Sequence, residues 1–286
     1  MSTNGQARQF ASSMLAGVIR RIAPRYIAGP ELNDAVALCR FNEQQGWRSI
    51  ICPWDGPHDS PLDVAASYQE ALHTIAEKKL NCYLSIKVSS LKYDLSLLED
   101  LLIIGAEFNI PIHFDSLGPD SASRSFVLLE KARKQYSNLG CTLPSRWLRS
   151  SQDAETAVQL GLSVRIVKGQ WPDPVEPSVD ADARFLDVVD VLAGRAAHVG
   201  VATHDIPLAR QALSRLRAVE TPCELEQLYG LPNRAKSVAV PLGVGVRVYV
   251  PYGYAYAPYA LSQITKRPVI VGWLIRDLLL SKPRPH

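Results

Sequence analysis

The sequence predicts an α/β chain in which eight short strands, each leading into a helix, close into a (βα)8 TIM-type barrel with an N-terminal helix. Three observations predict it. Eight apolar or β-branched runs succeed one another, helical patterns fill the intervals, and several runs alternate apolar with polar side chains. The runs are Arg48–Cys52, Cys82–Val88, Ile110–Phe114, Gly140–Leu143, Ser163–Val167, His198–Ala202, Cys223–Leu225 and Gly245–Val250. Their starts lie roughly 20 to 35 residues apart, the size of one strand–helix unit. Stretches such as Pro61–Lys79 and Ser121–Tyr136 place apolar residues three and four apart with charges opposite, as a helix with one buried face requires.

No linker or break in composition divides these units, so residues 26–286 read as one barrel and residues 1–25 as a helical extension. An open, doubly wound sheet is the structural rival. A dinucleotide-binding sheet of that kind carries a glycine-rich first turn, and GxGxxG is absent. In the extension, Gln9 to Tyr26 mixes Phe10, Met14, Leu15, Val18 and Ile19 with Arg20, Arg21 and Arg25, an amphipathic helix with a basic end. Two roles stay open for it: docking on the body, or targeting to a membrane surface. No uninterrupted apolar core of a signal peptide and no run of 18 apolar residues occurs, so the expectation is a cytoplasmic chain, or one peripheral at a membrane, without a transmembrane segment.

Composition narrows the function classes. A hydrophobic share of 47% and a charged share of 21% are those of a globular chain with a sizeable core. The net charge of +3 is spread out and not gathered in a stripe, which argues against nucleic acid as a partner. The 5 cysteines (Cys39, Cys52, Cys82, Cys141 and Cys223) form no CxxC pair and read as free thiols in a reducing compartment. No metal site is expected, because HxH, HxxxH and HExxH are all missing. A GxSxG elbow and a P-loop are missing too, and nothing places a base beside any of the thiols.

The alternation within the strands locates the site. Leu84, Ile86 and Val88 oppose Ser85, Lys87 and Ser89; Val164 and Ile166 oppose Arg165; three valines oppose Arg247 and Tyr249; Ile112 and Phe114 oppose His113 and Asp115. The apolar set must face the helices, so the polar set points into the barrel. Lys87, Asp115, Arg165, Thr203 or His204, Glu224 or Glu226, and Tyr249 then share the C-terminal mouth, where this fold builds its active sites. The competing reading is a structural ion network that plugs the mouth. The residue types suit an electron-rich cofactor or a small polar substrate, and composition alone goes no further.

Several segments, in order, resemble the proline dehydrogenase family. They are Tyr26-Ile27-Ala28-Gly29, Ser85-Ile86-Lys87-Val88-Ser89, Val164-Arg165-Ile166-Val167-Lys168-Gly169, Ala202-Thr203-His204-Asp205, Glu224 with Leu228-Tyr229-Gly230, Val246-Arg247-Val248-Tyr249-Val250-Pro251-Tyr252-Gly253, and Lys266-Arg267-Pro268. The resemblance implies a barrel that binds FAD and oxidises a cyclic amine, with a quinone or a carrier protein among its expected partners. It also implies roles. Lys87 and Asp115 resemble a lysine–aspartate pair beside the substrate, and Tyr249 a tyrosine packed on the substrate ring. Arg165 resembles the arginine that hydrogen-bonds flavin N5, where a cation offsets negative charge that develops on the ring. Val167, Lys168 and Gly169 resemble flavin-contacting backbone, and Thr203, His204 and Glu226 take cofactor-contact positions.

The departures from the family pattern bear on the substrate. Where the family carries Tyr-x-x-Arg-Arg on its last helix, this chain has Tyr259, Ala260 and Leu261 followed by Ser262 and Gln263. The two family arginines clamp proline's carboxylate, and Lys266 stands where the family has glutamate. Lys266 lies three residues from Gln263 and four from Ser262, on one helical face, so Tyr259, Ser262, Gln263 and Lys266 are the expected substrate-binding set. A lysine keeps the local charge but lacks the bidentate fork of arginine. Pro144 and Glu226 both occupy family glutamine positions, and Gln170-Trp171-Pro172 departs from the usual sequence after Gly169. The expected activity is hydride transfer from a modified or carrier-tethered proline to flavin. A barrel repurposed without redox activity is the alternative, and ordinary proline oxidation through Lys266 or Arg146 is a third reading.

Overall fold

Backbone pairing decides the architecture. The computed structural model describes residues 26–56, 58–231 and 234–253. Helix α1 (Leu32–Gln44) precedes β1 (Arg48–Trp54), and the chain then alternates through α2 (Pro61–Glu77), β2 (Cys82–Ile86), α3 (Leu95–Phe108), β3 (Ile112–Phe114) and α4 (Pro119–Arg133). It continues through β4 (Leu139–Pro144), α5 (Ser150–Gln159), β5 (Ser163–Val167), α6 (Ala181–Leu192), β6 (His198–Ala202) and α7 (Ile206–Ala218). The last described elements are β7 (Cys223–Leu228), the single turn α8 (Lys236–Ala239) and β8 (Gly245–Gly253). Each strand pairs in parallel with the next, and β8 returns to β1, so the sheet is a closed barrel. The N-terminal extension and the substrate-binding set Tyr259, Ser262, Gln263 and Lys266 lie outside the described residues.

All eight expected strands form, with differences at their ends. The run expected to begin at Ile110 starts two residues later. Asn109 turns left-handed at φ 53°, and Ile110 N–H donates back to Gly105 to finish α3. Pro111, with no N–H, then supplies only a carbonyl, to Leu84. Strand β2 stops at Ile86 because Lys87 and Val88 accept the turn bonds from Ser90 and Tyr93. Strand β1 runs on to Trp54, paired residue by residue with β8 as far as Gly253.

The alternation sorts the two faces as expected. Ile51, Leu84, Ile86, Ile112, Phe114, Val164, Ile166, Val199, Val201, Leu225, Val246 and Val248 join the layer packed against the helices. Helix N-termini are fixed by side chains: Asp94, Asp180 and Asp205 accept from the first-turn N–H groups of α3, α6 and α7, and Ser60 caps α2. All 5 cysteines are free, 4 of them buried. Among the described residues, no helix is long and apolar enough to cross a membrane.

The barrel interior is polar, where most barrels of this fold fill it with branched aliphatic side chains. At its N-terminal end Glu224 receives Arg247 at 2.5 Å and Arg48 at 3.4 Å, and His198 lies 3.9 Å away. Arg247 also donates to the Ser49 carbonyl at 2.9 Å. This cluster is a structural ion network, and it sits at the end of the barrel away from the mouth. Glu224 therefore belongs to the base of the barrel and Glu226, one pleat further along β7, to the mouth.

The loop after β5 supplies a test. Gly169 has φ +83°, and a Cβ there would lie 2.7 Å from the Cβ of Pro144. Gly169→Ala is expected to cost roughly 1–3 kcal/mol, combining left-handed strain with overpacking. A lower urea midpoint at unchanged slope is the expected result, and an unchanged midpoint would remove the requirement for glycine.

Candidate active site

The register brings the interior side chains into layers. Arg165 pairs with Thr142 on one side and Gly200 on the other, Glu226 pairs with Ala202 and Arg247, and Tyr249 pairs with Ile50 and Leu228. Above them a cavity of about 450 Å³ opens at the C-terminal ends of the strands. That volume is in the range of small-molecule sites, roughly 300–1,000 Å³. Its walls include Trp54 and Trp171, the aliphatic Val167, Ala202 and Leu228, and Pro144. Its polar groups include Asp55, Lys87, Asp115, Arg165, His204, Glu226 and Tyr249.

Arg165 is the hub. It is 3% exposed, donates from Nε to Thr142 Oγ1 at 3.0 Å, and donates from Nη2 to Ser85 at 3.1 Å and Asp115 at 3.3 Å. Burial works against its charge, but Tyr83, Asp115, Glu226 and Tyr249 around it outweigh burial and hold its pKa above the ordinary arginine value. Asp115 Oδ1 also accepts from the Ser116 N–H at 2.9 Å and the Thr142 hydroxyl at 3.4 Å, and its second oxygen accepts from the Tyr249 hydroxyl at 2.8 Å. The same hydroxyl lies 2.8 Å from the Cys52 sulfur. Burial, then Asp115, pushes the Tyr249 pKa well above the usual phenol value, so the ring stays a neutral donor.

Lys87 takes a different partner from the one the sequence implied. Its ammonium lies 3.7 Å from Asp55 and donates to the Pro53 carbonyl at 3.2 Å, 5.6 Å from the centre of the Trp54 ring. Strand β2 ends at Ile86, two residues short of the expected run, and the Lys87 side chain reaches the end of β1. The expected Lys87–Asp115 pair is replaced by Lys87–Asp55 and Arg165–Asp115.

Val167, Gly169, His204 and Glu226 line the cavity. His204 accepts the Leu228 N–H on Nε2 at 3.0 Å, so the proton of its neutral ring sits on Nδ1. Lys168 and Thr203 do not line it. Lys168 reaches outward to Asp182 at 2.6 Å and Asp205 at 3.8 Å, at the starts of α6 and α7. The buried Thr203 hydroxyl accepts the Asp205 N–H at 3.1 Å and shapes the turn into α7. Both follow a residue that faces inward, and the pleat sends them outward.

Sequence reasoning missed Asp55, Trp54, Thr142 and Tyr83. Thr142 was legible in the alternation of Gly140, Thr142 and Pro144. Trp54 continues the inward series Ile50 and Cys52, which was hidden by ending β1 at Cys52. Tyr83 donates to Glu226 Oε1 at 2.8 Å and stacks on His113 at 5.4 Å. Burial, with help from Arg165, holds His113 well below the usual histidine pKa, hence neutral.

A closed parallel barrel with a polar cavity at its C-terminal mouth, built around a buried cation, defines a (βα)8-barrel enzyme. Comparison with known proteins takes this further. The sequence is 25% identical over 276 residues to proline dehydrogenase 1 of Bacillus subtilis, covering 90% of each chain. It is 26% identical over 285 residues to proline dehydrogenase of Deinococcus radiodurans, again covering 90% of each. No family model matches the sequence. The fold matches proline utilization A from Bdellovibrio bacteriovorus at TM-score 0.79 and 16% identity, covering 94% of this chain. It matches the protein of that name from Corynebacterium freiburgense at TM-score 0.73 and 18% identity, covering 99%. In both matches the chain spans about a third of the longer protein, 35% and 36%. The chain is thus similar to proline dehydrogenases along most of its sequence and shares their barrel fold with the proline utilization A proteins.

Replacing Arg165 tests the hub. Arg165→Met leaves Asp115 and Glu226 without their shared cation, and removing one partner of a buried ion pair costs roughly 3–5 kcal/mol. Glu226, whose pKa burial raises to about 7, would lose the cation that opposes that rise and hold its proton more tightly, so the loss of stability is expected to be larger at pH 8 than at pH 5. Chemical denaturation at both values measures it, and an equal loss at both would reduce Arg165 to a packing residue.

Proposed function

We propose that this chain is a flavin-dependent dehydrogenase that oxidises a proline-like cyclic secondary amine to an imine, with FAD held in the barrel mouth. The observation that carries the proposal is the seat of Arg165. A guanidinium buried to 3% exposure and fixed by Thr142, Ser85 and Asp115 is a preorganised cation at the floor of the cavity. Such a cation stabilises negative charge that develops above it without reorganising. Flavin, when bound, supplies the acceptor for a hydride from the carbon beside the amine nitrogen.

The residues present fit such a ring. Val167, Ala202 and Leu228 offer apolar walls, Gly169 lets backbone approach closely beside Pro144, and Glu226 Oε2 is buried without a hydrogen-bond partner in the cavity wall. On the substrate side, Asp55 and Asp115 place negative charge where a protonated amine would enter, and Tyr249 presents a neutral ring locked by its bond to Asp115. Trp54 and Trp171 add aromatic surface to the cavity wall.

The proposed substrate is a proline derivative whose carboxylate is absent, esterified, amidated or tethered to a carrier protein. Ser262 and Gln263 stand where the family has its arginine clamp, and the lost charge pairing is worth about 2–5 kcal/mol, or roughly tens to thousands in affinity. Oxidation of free proline is the second reading. It is favoured by the names of relatives that align over 90% of the chain, and it needs Lys266 or Arg146 to stand in for the clamp. Electrons would pass on to a quinone or a similar acceptor.

An anaerobic experiment separates these readings. The purified chain is expected to show a flavin spectrum, alone or after addition of FAD, that proline methyl ester bleaches and free proline does not. Bleaching by proline at low concentration would mean that the clamp has been rebuilt, and a chain that takes up no FAD would be a repurposed barrel. The double substitution Ser262→Arg with Gln263→Arg is expected to improve the KM for proline by about tenfold or more, since each tenfold needs only about 1.4 kcal/mol. An unchanged KM in that variant would move the specificity elsewhere.

A further inference from the structure

Within the mouth, Glu226 is the group whose bonding is incomplete. Its carboxyl is 3% exposed. One oxygen accepts from the Tyr83 hydroxyl at 2.8 Å, whereas Oε2 has no hydrogen-bond partner, and the residue lines the cavity. The Arg165 Nε lies 3.8 Å from Oε2, beyond hydrogen-bond reach, and is already committed to Thr142. A buried carboxylate oxygen left without a donor is costly, whereas a protonated one becomes a donor in need of an acceptor.

Burial favours the protonated form, and the groups around it only partly oppose this. Tyr83 on β2 donates to it, Arg165 on β5 is shared with Asp115, and Glu224 below it on β7 holds Arg247 of β8 at 2.5 Å. His113 on β3, stacked on Tyr83, is neutral, and β6 places Gly200 and Ala202 beside Glu226, with His198 lower down beside Glu224. Arg165, Arg247 and Arg48 thus face the three carboxyls Asp115, Glu224 and Glu226, so charge alone does not decide the protonation of Glu226 and its burial does. Burial, reinforced by Glu224 and opposed by the two arginines, brings the Glu226 pKa up to about 7. Its position is also pinned from behind, since a Cβ at Gly200 would come within 2.5 Å of Oε1.

We propose that Glu226 takes up a proton when the mouth is filled and donates a hydrogen bond from Oε2 to an electron-rich acceptor of the bound ring system. This rests on the flavin reading above. The residue is a proton-linked positioning contact: it ties occupancy of the mouth to pH and orients the ring over Arg165. A glutamine, which the family carries at this position, would donate at every pH. Glutamate makes the donor conditional on a proton, and that is the specific consequence of this chain's departure.

The sign follows from linkage. A group that binds a proton more tightly in the complex than in the free protein makes affinity fall as pH rises through its pKa in the free protein. FAD affinity is therefore expected to weaken roughly tenfold from pH 6 to pH 8 for one linked proton with a pKa of about 7 in the free protein. Glu226→Gln keeps a donor and an acceptor for Tyr83 and should flatten that dependence. The test is FAD titration of the full chain by flavin fluorescence at both pH values, for wild type and E226Q. It is paired with proton uptake in weakly buffered solution at pH 8, expected near one proton per FAD for wild type and near zero for E226Q. The proton count reads the wild-type chain directly and so stands even if the variant folds poorly. Equal wild-type affinity at pH 6 and pH 8 without proton uptake would overturn this proposal and leave the flavin reading intact. Failure of the wild type to bind FAD at either pH would overturn both.

Discussion

The buried guanidinium of Arg165 is the constraint around which the barrel is arranged. A cation at that depth persists only if neighbours return what water would have supplied. Thr142, Ser85 and Asp115 do so from three different strands, so the sheet must close in one register for the charge to be tolerated. That requirement explains why polar side chains fill an interior that aliphatic layers would fill more cheaply. It also extends to a second ring of contacts, because the Ser116 N–H and the Tyr249 hydroxyl each hold one oxygen of Asp115. Stability and site geometry are therefore carried by the same hydrogen bonds.

The two ends of the barrel use charge differently. At the base, Glu224 gathers Arg247, Arg48 and His198 into a self-sufficient cluster. At the mouth the partners are spread around a cavity, and one carboxyl oxygen is left unmatched. A closed network is what structure alone requires, whereas an open one has capacity for a ligand. The position of Glu226, two residues from Glu224 on the same face of β7, turns one strand into both.

Much of this was legible in the sequence because a strand's period is two. Ser163–Val167 and His198–Ala202 form as expected to the residue, and the inward direction of Arg165, Asp115 and Tyr249 followed from their apolar neighbours. The same period placed Lys168 and Thr203 on the outer face. There their side chains serve the helix starts at Asp182 and Asp205. What the period could not give was where strands stop. The end of β2 at Ile86 swings Lys87 toward Asp55, and the continuation of β1 brings Trp54 and Asp55 to the mouth. Those ends depend on turn bonds and on pairing with β8, which are tertiary. The partnership of Tyr83 with Glu226 spans 143 positions and leaves no local trace.

The most direct test of the central claim, that the Arg165 cation is held in place for electron transfer to a bound ring, is the reduction potential of FAD in the chain, compared between wild type and Arg165→Met. If the guanidinium stabilises the negative charge acquired on reduction, its loss should make the two-electron potential more negative by at least about 30 mV, equivalent to about 1.4 kcal/mol. A potential unchanged by the substitution, in a variant that still binds FAD, would contradict the account and return Arg165 to the structural network of the barrel.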